Sequence, residues 1–223
     1  AATFLARIAP ATGFLELPTF FFFYASYAAL SLGSWLGLTL SLGVLLGAEN
    51  ALLMAVLWAL YMSFCHAGQT FWGYGWEILL LEVGFLSIFL CPVTSLLPLR
   101  SRVAPASIVI WLMRWVVFRL MFGAGMIKLR GDSCWTDLTC LAYHYETQPV
   151  PNPLSRLLHQ APLGFHRAGV AFNHFVELVV PWFVFGPGRV RHVAGALIVA
   201  FQTFLIFSGN LSFLNWLTIA VTL

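Results

Sequence analysis

Ionisable and amide side chains that interrupt long apolar segments are the residues of this sequence best able to do chemistry. A polar group inside a membrane is costly unless it is paired, so such groups mark ligand-binding, proton-transfer or catalytic sites by default. At about 1.5 Å of rise per helical residue, they lie within roughly 13 Å of one membrane face. The sequence therefore predicts a polar cavity that opens to that face. Its expected members are His66, Gln69, Glu77, Glu82, Arg119, Lys128, Asn173, His174, Glu177, Gln202 and Asn215.

The depths of opposite charges predict two groups of ion pairs. Glu82, Arg119 and Glu177 lie at similar depth, whereas Glu77 and Lys128 lie at the rim. These groups could link helices structurally, or they could bind a ligand or act in catalysis. A partly desolvated Lys128 could serve as a base, but a lysine at a helix end more often extends to the interface.

A second set of polar and aromatic side chains lies in the one long hydrophilic segment, residues 129–167. Alternate prolines in residues 149–153 favour an extended backbone, and the aromatic residues offer contacts to a protein partner. Cys134 and Cys140 could form a disulfide in an oxidising compartment. The residues expected to bind a partner are Trp135, Tyr143, His144, Tyr145, Glu146, Pro149 and Pro151.

Several common chemistries have no matching motif. The sequence contains no G-x-S-x-G, P-loop or dinucleotide fingerprint. No second histidine stands at a metal-ligand spacing from His144, so we expect neither a metal site nor a cofactor. The 11 basic and 8 acidic residues are dispersed, which excludes nucleic acid as a partner.

Membrane helices must position these groups. The 223 residues are 61% hydrophobic and only 9% charged, too few charges to coat a soluble domain. We expect an all-α, polytopic membrane helical bundle of about six or seven transmembrane helices, forming a single transmembrane domain over residues 1–223 with one long loop at 129–167. Residues 123–125 form a small-residue patch that favours close helix packing. The predicted spans are residues 19–47, 50–72, 76–97, 106–128, 168–186, 193–207 and 211–223.

Arginine residues predict which side of the membrane each loop occupies. Arg100, Arg102, Arg189 and Arg191 lie in short connections on the same face as Glu49, and this face should be cytoplasmic. The long loop should then face a lumen or the periplasm. The last predicted span is short, which suggests that the sequence is a piece of a longer protein.

Seven motifs of the sequence are distinctive: GWEILLLEVGF at 75–85, FRLMFGAGMIKLRGD at 118–132, CWTDLTC at 134–140, HYETQP at 144–149, PNP at 151–153, NHFVEL at 173–178 and SGNLSFLNWLT at 208–218. Together they closely resemble the lipase maturation factor family, and its first member more than its second. The resemblance covers most of the chain from about Tyr61 onward. It implies a multi-span membrane protein of the endoplasmic reticulum, whose lumenal loop contacts newly made secreted lipases during their folding and dimer assembly. The family's first spanning helix and its lumenal C-terminal region have no expected counterpart here.

A second resemblance belongs to a different class of function. Lys128 at a helix end, followed by an acidic residue and Trp135, resembles the horizontally transferred transmembrane (HTTM) fold of vitamin K-dependent carboxylases. That resemblance implies that the lysine serves as a base.

Three hypotheses follow. The leading one is a non-enzymatic, chaperone-like maturation factor in the endoplasmic reticulum membrane, with membrane lipid, client lipases and other membrane subunits as partners. The second is a lumen-facing membrane enzyme that uses Lys128, His144 or Glu82. The third is a structural subunit of a larger membrane complex. Another organelle membrane stays open as the location.

Overall fold

The computed structural model describes residues 14–24, 26–48, 50–93 and 104–223, and within these ranges the regular structure is helical. Short 3-10 turns lie at Phe20–Phe22 and Gln69–Trp72. The helices are α1 Tyr27–Leu45, α2 Ala51–Gly68, α3 Gly75–Ile88, α4 Ser107–Arg130, α5 Cys140–Thr147, α6 Ser155–His159, α7 Leu163–His174, α8 Gly188–Ser208 and α9 Leu214–Thr222.

Among the residues that the structure describes, five helical segments are long and apolar enough to cross a membrane: Tyr27–Leu45, Ala51–Trp72, Ser107–Arg130, Leu163–Phe185 and Gly188–Ser208. This architecture confirms the predicted all-α, polytopic membrane bundle. The predicted spans at 76–97 and 211–223 contain the shorter helices α3 and α9. Residues 94–97, and the Glu49, Arg100 and Arg102 used to predict orientation, lie outside the described residues.

The chain divides into two compact units, residues 1–110 and 111–223. In the first unit, α2 packs against both α1 and α3. Polar groups on α2 also hold the segment that precedes α1, because Thr19 Oγ1 donates to the Ser63 carbonyl at 3.1 Å. The Nδ1 atom of His66 lies 3.1 Å from the Pro18 carbonyl, and since a carbonyl only accepts, this nitrogen carries the hydrogen.

The core of the second unit joins α4, α8 and the segment that continues α7. Val176 and Ile198 are fully buried in it, and Met121 is 2% exposed. Phe118 packs edge-on against Trp182 with ring centroids 4.8 Å apart. These contacts hold three membrane-spanning segments together without help from the loop.

The segment that continues α7 changes its helix type twice. It is a π-helix over Phe175–Val179 and a 3-10 helix over Val180–Phe185. Pro181 accounts for the change, because proline has no amide hydrogen and its ring clashes with the carbonyl four residues earlier, that of Glu177. Wide π turns of this kind often occur at functional sites.

Gly125 lets α4 approach this π turn closely. A Cβ atom at position 125 would lie 2.5 Å from Leu178 Cδ2 and 3.1 Å from Glu177 Cβ. At Gly123, two residues earlier, a Cβ atom would meet nothing within 4 Å. The close packing expected of the small-residue patch therefore depends on Gly125.

We expect the substitution Gly125→Ala to lower the free energy of unfolding by about 1–3 kcal/mol, because Leu178 and α4 must move apart. Thermal unfolding of the purified protein in detergent, followed by tryptophan fluorescence, measures the effect. Gly123→Ala is the matched control and should leave the melting temperature unchanged or slightly higher, since alanine favours helix. Equal melting temperatures for the two variants would show that the close approach is unimportant.

Candidate functional site

Lys128, near the end of α4, joins α4 to α7 and the π turn. Its Nζ atom donates to Glu177 Oε1 at 2.6 Å and to Asn173 Oδ1 at 2.9 Å. Asn173 and Glu177 are four residues apart in the helical segment and so face the same side. The side chain of Glu177 is 4% exposed and that of Lys128 is 23% exposed. The pair therefore compensates a carboxylate that is buried almost completely.

Trp135, in the long loop, covers the ion pair. The Nζ atom of Lys128 lies 4.9 Å from the centre of the indole ring, within cation–π range. The Trp135 carbonyl lies 3.0 Å from His174 Nε2, and because it can only accept, Nε2 is the donor. We call Lys128, Trp135, Asn173, His174 and Glu177 the Lys128 cluster.

A small covalent ring fixes Trp135 in this place. Cys134 and Cys140 form a disulfide with their Cα atoms 4.6 Å apart. The amides of Thr139 and Cys140 both donate to the Cys134 carbonyl, at 2.8 and 3.1 Å. Residues 134–140 therefore form a closed ring near the start of the loop, and the second residue of this ring, Trp135, belongs to the Lys128 cluster.

The observed pairing differs from the one expected from the sequence. Depth had suggested Arg119 as the partner of Glu177 and Glu77 as the partner of Lys128, but Glu177 and Lys128 bind each other. Since the ammonium donates to two oxygens and faces an indole ring, the geometry favours an anchoring role for Lys128 over a role as a base.

The Lys128 cluster keeps some hydrogen-bonding capacity. Among the described residues, Glu177 Oε2, Asn173 Nδ2 and His174 Nδ1 are buried without a hydrogen-bond partner. They offer acceptors and a donor, which suits an ordered water molecule or another small polar group.

A second anchor ties the loop to the C-terminal end of α8. Asn152 Nδ2 donates to the carbonyls of Ile206 and Gly209 at 3.1 and 3.4 Å. Gln148 Nε2 and Ser155 Oγ donate to the Ser208 carbonyl at 3.1 and 2.8 Å. Carbonyl groups at a helix end lack partners within the helix, so these side chains complete α8. We call Gln148, Asn152 and Ser155 the Asn152 cluster.

Sequence reasoning missed the Asn152 cluster because it weighed the prolines and not the residue between them. A signal was present in Pro151-Asn152-Pro153. Neither proline has an amide hydrogen, so Asn152 supplies every donor of that tripeptide, through its backbone amide and its side chain.

The predicted partner-binding residues divide into exposed and packed ones. Tyr143 is 62% exposed, and His144, Glu146, Pro149 and Pro151 are also exposed. Tyr145 is 3% exposed and packs near His166, with ring centroids 5.9 Å apart. Trp135 belongs to the Lys128 cluster. These two aromatic residues therefore hold the loop instead of facing outward.

Three further apolar side chains lie on the outside of the loop. Val150 is 56% exposed, Leu154 is 42% exposed and Leu157 is 65% exposed. They are next in sequence to Pro151, Pro153 and Arg156, which line a groove of about 660 Å³ together with Glu146 and His159. Sequence reasoning did not select them, because an isolated apolar residue in a loop has no pattern that distinguishes packing from exposure.

The remaining members of the predicted cavity have separate surroundings. In the second unit, Gln202 Nε2 donates to Met121 Sδ at 3.2 Å, and Asn215 Nδ2 lies 3.5 Å from the Gln202 carbonyl. Arg119 is exposed within the chain. In the first unit, His66 binds the Pro18 carbonyl, Glu77 is 8% exposed in the first turn of α3, Gln69 is exposed at the end of α2 and Glu82 is half-buried. A single cavity that joins all eleven residues stays a prediction.

The profile of the lipase maturation factor transmembrane domain matches residues 2–223. The chain belongs to the lipase maturation factor family. Lipase maturation factor 1 of Bos taurus is 55% identical over 84% of the chain and 34% of its own length. The Homo sapiens factor 1 is 52% identical over 87% of the chain and 34% of its own length. The Homo sapiens factor 2 is 37% identical over 86% of the chain and 29% of its own length. No solved structure matches the chain.

Membership of this family confirms the resemblance seen in the sequence, including the greater similarity to factor 1 than to factor 2. Together with the five membrane-spanning helices, it makes the chain an integral membrane protein. The chain spans about a third of the length of the curated relatives it matches. Kinship with the HTTM fold stays a prediction.

We expect Asn152→Ala to detach the loop from the end of α8. The substitution leaves the Ile206 and Gly209 carbonyls without their donor, which should cost about 1–3 kcal/mol. Limited proteolysis should then cut residues 148–160 faster, and the melting temperature should fall. Gln160→Ala, an exposed position in the same loop, is the control. Identical cleavage rates for both variants would mean that the Asn152 cluster does not hold the loop.

We expect His144 to titrate below its ordinary value of about 6.5. Although His144 is exposed as a residue, partial desolvation of its imidazole lowers its pKa, and the positive charge of Lys128 lowers the pKa further. Because the folded-state pKa lies below the unfolded one, the stability from this group is complete above about pH 6.5 and is lost as the pH falls through that value toward the lower folded-state pKa. NMR titration of the imidazole, assigned with His144→Gln, measures the midpoint. A midpoint at or above 6.5 would contradict this placement of His144.

Proposed function

We propose that this protein is a maturation factor of the endoplasmic reticulum membrane, and that its anchored loop binds the surface of newly made lipases. The observation that carries the proposal is the combination of two anchors with four exposed apolar side chains on the same loop, Tyr143, Val150, Leu154 and Leu157, which we call the exposed strip. The Lys128 and Asn152 clusters hold the loop, while Tyr143, Val150, Leu154 and Leu157 stay in contact with solvent.

The relatives support the lipase part of the proposal. The matching curated proteins are named for lipase maturation. Since the chain corresponds to about a third of their length, client binding by this region is an inference from its own surface. Binding to a partner accounts for the exposed apolar side chains of the loop.

The physical argument rests on preorganisation. A flexible loop loses conformational freedom when it binds, and that loss weakens binding. Here the disulfide, the Lys128 cluster and the Asn152 cluster order the loop beforehand. Partly folded clients expose apolar surface, and the exposed aromatic and aliphatic side chains of the strip would cover it.

Two observations support a lumenal loop. Arg189 and Arg191 lie in the first turn of α8, which is 21 residues long, and the Asn152 cluster binds the other end of this helix. At 1.5 Å per residue these ends are about 30 Å apart, so the arginines and the loop lie on opposite faces. Arginines favour the cytoplasmic face, and a disulfide between Cys134 and Cys140 suits the oxidising lumen.

The test is rescue of lipase secretion in cells that lack the endogenous factor. We expect the triple substitution Tyr143→Ser, Val150→Ser and Leu157→Ser to lose most of the rescue, because binding weakened by about 1.4 kcal/mol is already a tenfold loss of affinity. Secreted lipase activity and the recovery of client in pull-down are the measurements.

The matched control changes exposed polar positions of the same loop, Asp137→Ala and Gln160→Ala, and should keep full rescue. Membrane abundance and melting temperature of both variants must equal those of the wild type. Full rescue by the serine variant at normal abundance would refute the binding role of the strip.

A further inference from the structure

A cavity of about 410 Å³ lies within the first unit, and the proposed function makes no use of it. α1, α2 and α3 all contribute to its walls. Gly33, Gly37 and Ser41 of α1 are spaced by four residues and present one smooth helix face to it. Trp58, Tyr61 and Phe64 of α2 form much of the opposite wall.

The cavity walls disfavour water. The hydroxyl groups of Ser34 and Ser41 donate to backbone carbonyls of α1 itself, and Trp58 Nε1 donates to the Leu81 carbonyl at 2.9 Å. These three lining donors are therefore already satisfied, which leaves the Tyr61 hydroxyl and the Trp72 indole N–H as the other side-chain donors of the lining. A buried water needs two to four polar partners, and an apolar cavity without them stays dry. An empty cavity of this size would forfeit the contacts of every atom that lines it.

The position of the cavity beside membrane-spanning helices indicates that its occupant is an apolar molecule. Two of its three helices, α1 and α2, have the length and composition to cross a membrane. Leu32, Trp35 and Leu36 beside it on α1 are 70%, 64% and 48% exposed. The medium at this depth is hydrocarbon, so the molecules that can enter are those of the bilayer.

The shape of the cavity selects among bilayer molecules. Its lining runs along α2 from Met54 to Phe64, ten residues or about 15 Å at 1.5 Å per residue. A space of this length between helix faces suits one extended hydrocarbon chain.

We propose that the cavity between α1, α2 and α3 is a lipid-binding site that takes one acyl chain. The chain could belong to a phospholipid or to a free fatty acid, since both offer the same hydrocarbon to the walls. Gly37 and Gly84 keep the site open, because a side chain at either position would project from the lining.

Photolabelling of the full chain in membranes tests the proposal. One arm uses phosphatidylcholine with a diazirine in an acyl chain, a second uses a free diazirine fatty acid, and a third uses a diazirine cholesterol. We expect either acyl probe to label peptides that contain Trp58 and Tyr61, and excess unlabelled lipid of the same class to compete. The arm that labels identifies the source of the chain.

The substitution Gly84→Leu should remove most of the label from these peptides. Its Cβ would already touch Trp58 Cδ1 at 3.5 Å, so the rest of the leucine fills the cavity. Gly43→Leu on α1, where a Cβ would meet nothing within 4 Å, is the matched control and should keep the label. Tryptophan fluorescence shows whether each variant is folded. Competition by excess unlabelled lipid is measured on the wild-type protein, so it tests the site even if a variant does not fold.

Three results would overturn the proposal. The first is labelling of the outer face around Leu32 and Trp35 as strong as that of the cavity, which would indicate ordinary surrounding lipid. The second is preference for the cholesterol probe. The third is unchanged labelling of a folded Gly84→Leu protein.

Discussion

Lys128 and Glu177 place opposite charges 2.6 Å apart at the end of a membrane helix, where neither charge could be left alone. Removing one partner of a fully buried pair costs about 3–5 kcal/mol, and somewhat less where, as here, the lysine is 23% exposed. The pair needs α4 close to the π turn, which Gly125 allows, and it needs a cover, which Trp135 provides. The close helix packing and the path of the loop both follow from the requirement to satisfy this one carboxylate.

The two anchors hold the loop by different physics. The Lys128 cluster relies on charge and on an aromatic face, whereas the Asn152 cluster relies on neutral donors that complete the end of α8. Changes of salt or pH act on the first far more than on the second. Because each anchor lies at the end of a membrane helix, the loop is ordered only when those helices are folded. The membrane helices therefore hold the loop in the conformation that exposes Tyr143, Val150, Leu154 and Leu157.

Composition and apolar run length were enough to predict the helical bundle, since each membrane helix must satisfy its own backbone. Residue counting also placed Asn173, His174 and Glu177 in one group, and all three belong to the Lys128 cluster. The partners of Lys128 and Glu177 were predicted wrongly because residue counting gives height along a helix axis and not direction around it. Glu177 lies in the π turn that Pro181 causes, and a regular 3.6-residue period does not include such a turn. Tyr145 was assigned to the surface because aromatic residues in loops can either pack or face outward, and only the contact with His166 decides.

The arrangement separates residues that hold the loop from residues that can meet a client. Trp135, Tyr145 and Asn152 are buried or half-buried and are bound to the rest of the second unit. Among the described residues, the side chains of Tyr143, Val150 and Leu157 form no hydrogen bond to the rest of the second unit, and each residue exposes more than half of its surface. A change in the first group alters the shape of the loop and with it the stability of the protein, whereas a change in the second alters the surface alone. A variant that loses rescue but keeps its melting temperature therefore alters the client-binding surface. A variant that loses both rescue and stability alters the residues that hold the loop.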